Sequence, residues 1–153
     1  MAQFKIGAIF FRVESVPKEE YRYTVQLRNV VHEYIHLLYN EYVAMERITW
    51  LDEGIALNLS HEKNMLHDEK RFNDFMKNVC LMKKYVDNMG KLSHEGENFV
   101  TENYNGYDLS YICVKYLLEV YTKEQFNKLI RDRKEINKIE NTILDDAIKF
   151  FLR

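Results

Sequence analysis

Two histidines four residues apart, His32 and His36, with Glu33 directly after the first, are the residues of this sequence best suited to chemistry. On a helix each residue advances about 1.5 Å and turns about 100°. Four residues therefore bring both imidazoles to one face, roughly 6 Å apart along the axis. Two neutral nitrogens so placed can close on one zinc ion at about 2.0–2.1 Å each. Glu33 then lies beside the metal but is turned away from the two-histidine edge. That suits a carboxylate that takes a proton from a water rather than one that ligates. The segment His32-Glu33-Tyr34-Ile35-His36 is thus an H-E-x-x-H match with its physical content intact. The competing explanation is two solvated histidines on a helix. The surrounding pattern favours the metal, because the histidines lie beside an apolar stripe rather than opposite it.

A catalytic zinc needs a third protein ligand and one open position. One extended pattern, H-E-x-x-H-x-x-G-x-x-H, puts a glycine and then a histidine where this sequence has Tyr39 and Tyr42, so that version is excluded. The next helix offers Trp50-Leu51-Asp52-Glu53-Gly54-Ile55-Ala56 instead. Together the two segments resemble the gluzincin branch of the zincin metallopeptidases, whose peptidase MA-like members carry W-L-x-E-G-x-A. The resemblance implies that Glu53 is the third ligand, that Zn2+ is the cofactor, and that Glu33 is the catalytic base in hydrolysis of a peptide or protein substrate. It makes Trp50 and Leu51 packing residues, and Gly54 and Ala56 small because their helix packs close to the first. Asp52 is read either as a solvated carboxylate favouring the helix dipole, the preferred assignment, or as an acceptor orienting a histidine.

The resemblance extends less specifically over about residues 25–152. A helix opening at Tyr107 fits the family, and Thr122 stands where a glycine is more usual. Gluzincins add a donor, often Tyr or His, at the oxyanion. Tyr107 is the first candidate for that catalytic role, with Tyr104 and Tyr111 behind it; a packing aromatic is the alternative. His61, His67 and His94 have no partner spacing and are expected to be solvated.

These residues need elements to carry them. Apolar positions Leu27, Val31, Ile35 and Leu38 recur at spacings of three and four, which predicts a helix from about Thr24 to Val43. A link at 45–49 leads to a second helix over 50–60. Further helices are expected at 70–88, 107–121, 123–133 and 141–152. Residues 4–13 are β-branched and aromatic and read as a strand; the family uses an edge strand to align substrate by β-addition. Ser15–Glu20, with the only proline, Pro17, reads as a connector, and 61–69 as a loop. Residues 90–105 read as an irregular crossing with a short extended piece at Phe99-Val100.

The fold class expected is mainly α (α+β): a zincin-like catalytic domain with a small N-terminal β element and a helical C-terminal subdomain. One domain spans 1–153, with room for part of the family's N-terminal sheet lobe to be missing. The chain has 153 residues, 46% hydrophobic and 30% charged, enough for one core. With 22 basic and 24 acidic residues it is close to neutral, which argues against a nucleic-acid surface. The apolar run Ile6 to Phe11 is too short to span a membrane and no signal peptide is visible. The compartment stays open, cytoplasmic if the chain is complete, and the oligomeric state is not readable. Cys80 and Cys113 are expected as buried thiols. Two rival functions stand beside hydrolysis: a non-catalytic zinc-binding scaffold or interaction domain on a metallopeptidase fold, and a helical interaction domain without metal.

Overall fold

The computed structural model describes residues 3–5, 8–10, 20–43, 46–60, 68–94 and 98–153, with the side chains of the first helix from Leu27 onward. The molecule is mainly helical. Its seven helices among these residues are α1 (Glu20–Tyr42), α2 (Thr49–Leu59), α3 (Glu69–Met82), α4 (Gly106–Val120), α5 (Lys123–Leu129), α6 (Arg133–Ile139) and α7 (Ile143–Phe151). Two three-residue strands, β1 (Gln3–Lys5) and β2 (Ala8–Phe10), pair antiparallel with Phe4 opposite Ile9. The stretch expected as one strand thus divides in two. Residues 11–19 and 61–67, including Pro17, His61 and His67, lie outside the described residues.

Helix α2 is the centre of the fold. Every residue from Thr49 to Leu57 is buried, as befits a helix packed on more than one side. It sits between α1 and α4. Gly54 is where α4 comes closest: a Cβ there would stand 2.5 Å from both the Ser110 carbonyl oxygen and Val114 Cγ2. The close approach that the small residue permits is therefore to α4, not to α1 as expected. Asn58 reinforces the same contact by donating to the Gly54 carbonyl at 2.8 Å and to the Tyr111 carbonyl at 3.0 Å. No side chain caps the start of α2. The Thr49 N–H instead donates to the Ser93 carbonyl at 2.9 Å, so one orphan donor of the first turn is satisfied by a distant loop.

The buried core joins Trp50, Leu51 and Ile55 of α2 to Leu109, Ile112 and Leu117 of α4, and to Met76, Val79, Leu144 and Ala147 of α3 and α7. Cys113 is buried among them, but Cys80 is only half-buried, against expectation. Helix α3 stops at Met82, six residues short of its predicted end. The chain then bends, and Val86, Met89 and Leu92, the last two in a 3-10 turn (Met89–Leu92), all enter the core. The predicted helix over 123–133 breaks after Leu129, and Asp132 caps a separate α6 by accepting from the Lys134 N–H. Thr122, the departure from the family pattern, forms a capping box with Gln125 at the start of α5. The expected extended piece is a single antiparallel bridge between Val100 and Asn105.

Candidate metal centre

The face that α1 turns to the core carries Ile35, Tyr39 and Val43, and His32 and His36 lie on the same side by the helical turn. Glu53 lies on the facing side of α2 and is 6% exposed. The three residues converge. The Nε2 atoms of His32 and His36 are 3.0 Å apart, and Glu53 Oε2 stands 3.4 Å from the first and 3.5 Å from the second. A tetrahedral ion with ligands at about 2.0–2.1 Å has ligand-to-ligand edges of about 3.3–3.4 Å. The three donor atoms therefore have the spacing of one face of a zinc tetrahedron. They are also the one group of three or more His, Cys, Asp or Glu side chains, among the described residues, placed to hold a metal ion.

Glu53 Oε2 is buried and receives no hydrogen bond of good geometry. A buried carboxylate oxygen left so is costly, and a cation at the triad would relieve it. The two imidazoles stand edge to face, 4.7 Å between ring centroids. Their side chains keep 12% and 14% exposure, so solvent reaches the histidine side of the cluster.

Around the triad the charges are arranged in a chain. Asp52 is fully buried, which overturns its assignment as a solvated carboxylate. Its Oδ1 accepts from His36 Nδ1 at 2.7 Å, and its Oδ2 accepts from Arg47 Nε at 2.5 Å. Arg47 Nη2 also donates to Glu53 Oε1 at 3.0 Å. With Nδ1 of His36 donating to Asp52, Nε2 is the nitrogen that offers a lone pair to the triad once its own proton is lost. Burial alone would lower the His36 pKa, but the hydrogen bond to Asp52 and the nearby carboxylates of Glu53 and Asp52 outweigh it and carry the value up to about 9. Burial would raise Glu53; the imidazoles of His32 and His36 outweigh that and hold it at about 2. Tyr39 is buried nearby, and burial, followed by the charge of Asp52, pushes its phenol well above the ordinary range.

The other predicted residues are placed as follows. Glu33 is half-buried on α1, one residue after His32. Tyr107 is in the first turn of α4 and 40% exposed. Its ring stands edge-on to Phe99 at 4.9 Å and its N–H donates to Asn105 Oδ1. Tyr104 donates to the Asn98 carbonyl and Tyr111 packs edge-on to Phe75. Tyr42, which replaces the third histidine of the excluded pattern, lies under the Arg131 guanidinium at 3.8 Å. His94 is exposed, 3.8 Å from Glu46. Arg47 was not anticipated. The visible signal was a lone cation five and six residues before two adjacent acids.

Compared with family models, with curated proteins and with solved structures, the chain matches none.

Proposed function

We propose that this protein is a zinc-dependent peptidase in which His32, His36 and Glu53 hold the metal and Glu33 is the general base. The observation that carries the reading is the convergence of two Nε2 atoms and one carboxylate oxygen at 3.0–3.5 Å. Two histidines and one glutamate are a donor set of the catalytic type, which leaves a fourth position for water or substrate. A structural site usually closes with four protein ligands; among the described residues the group consists of these three. The residual exposure of both histidines supports access from solvent.

Bound there, zinc supplies Lewis acidity toward a water and toward the scissile carbonyl. The chain's own residues do the rest. Asp52 keeps the His36 proton on Nδ1 and so keeps Nε2 available. Glu33 takes the proton of the attacking water and passes it to the leaving amine. Tyr107 is the proposed donor to the carbonyl oxygen as charge develops on it.

The test is Glu33→Gln. Zinc content should stay at the wild-type level while hydrolysis of a quenched peptide library falls by about 10²–10⁴-fold. Equal activity in the two proteins would exclude the mechanism. Zinc binding without hydrolysis in the wild type would favour the scaffold instead.

A further inference from the structure

We propose that Arg47 is a positioning residue that fixes two ligands of the metal site at once, Glu53 directly and His36 through Asp52. The inference rests on the zinc-binding reading above. It concerns how this chain builds the site.

Each of the two acids divides its oxygens. Asp52 gives Oδ2 to Arg47 Nε and Oδ1 to His36 Nδ1, at 2.5 and 2.7 Å. Glu53 gives Oε1 to Arg47 Nη2 at 3.0 Å and turns Oε2 to the histidines. One guanidinium thus closes a loop that runs from Arg47 through Asp52 to His36, across the triad to Glu53, and back. The planar fork of arginine suits this because its donors point in fixed directions. Bonds to charged acceptors are also the stronger kind. With Oε1 held, the Glu53 carboxylate cannot rotate to offer the other oxygen or to swing away from α1.

The second consequence is electrostatic. Asp52 and Glu53 are adjacent in sequence and both buried. Two carboxylates buried side by side without a cation would repel each other. Arg47, 31% exposed, supplies that cation from the edge of the site and offsets the repulsion between the two acids. Lysine carries the same charge but has no fork. Arg47→Lys therefore separates the two effects.

The experiment measures zinc affinity by competition with a chromophoric chelator, for wild type, Arg47→Lys, Arg47→Met, Asp52→Asn and the Arg47→Met/Asp52→Asn double variant. Circular dichroism of the chelator-stripped proteins checks folding. Arg47→Met should bind zinc roughly 10–100-fold more weakly, with Arg47→Lys in between. The double variant should lose less than the product of the single losses, because both act on His36. A residue that merely supports the fold would give independent losses. Wild-type affinity in Arg47→Met, or in Arg47→Lys should the methionine variant not fold, overturns the proposal and leaves the metal site standing. Absence of zinc binding by the wild type overturns both.

Discussion

At the scale of single residues, His36 carries the most consequence. Its imidazole faces Asp52 on one nitrogen and Glu53 on the other, and it holds a proton up to about pH 9 when zinc is withheld. A zinc ion held there would have to displace that proton. Apparent zinc affinity should therefore rise with pH by up to about tenfold per unit until about pH 9. The zinc-free protein should behave oppositely. His36 is raised from 6.5, so its contribution to stability is complete below pH 6.5 and is lost as pH climbs through about 9. Glu53 is lowered from 4.5, so its contribution is complete above pH 4.5 and is lost as pH falls through about 2. Melting temperatures of the stripped protein should then be highest between these limits, and zinc should add most at alkaline pH. A flat profile for both forms would show that the pair is not coupled. Tyr107 gives a second residue-scale test. Tyr107→Phe should lower kcat by about 10²–10³-fold with zinc affinity intact if its hydroxyl reaches the carbonyl oxygen. Unchanged kcat would leave it as an aromatic packed against Phe99.

At the scale of elements, the site depends on how α2 is wedged between α1 and α4. Glu53 faces one neighbour and Gly54 the other because successive helical residues differ by about 100°. Gly54→Ala would drive a methyl to 2.5 Å from the Ser110 carbonyl oxygen, an atom of helix backbone. The overlap should outweigh the gain in helix propensity of about 1 kcal/mol and leave a net loss of about 1–3 kcal/mol. Thermal unfolding would read this as a lower melting temperature. An unchanged or higher value would mean that α4 can retreat. The sequence made α2 and its glutamate visible through W-L-D-E-G, but not which helix Gly54 meets. For α1 the periodicity was correct and the face was right in part: Ile35 of the expected stripe is buried, whereas Leu27, Val31 and Leu38 are exposed. Leu27, Val31, Tyr34, Leu38 and Tyr42 form one exposed apolar row, while Ile35, Tyr39 and Val43 form the buried one. The rows lie about 100° apart. Both recur at helical spacing, the exposed row at three and four and the buried row at four, so spacing alone could not choose between them.

At the scale of the whole molecule, distant parts of the chain hold α2 in register. Glu140, nearly buried after α6, accepts from Trp50 Nε1 at 3.2 Å and from Ser93 Oγ at 2.7 Å through the same oxygen. Its own carbonyl accepts from the Met89 N–H at 2.9 Å. The C-terminal helices thereby anchor the start of the helix that carries Glu53. None of this was legible beforehand. Residues 134–140 had no assigned element, and a contact across 90 positions leaves no local pattern. The helical class, the two candidate histidines and most helix starts were legible because they rest on short-range spacing, while Glu53 was singled out through the resemblance carried by W-L-D-E-G. The breaks within long apolar stretches were not, since they answer to burial of Val86 and Met89 and to the cap at Asp132. No helix among the described residues is long and apolar enough to cross a membrane. Titration calorimetry of zinc into chelator-stripped protein tests the triad most directly. The prediction is one zinc per chain for the wild type, with the tight site lost in both His36→Ala and Glu53→Ala. No binding to the wild type, or equal binding by all three proteins, would contradict it.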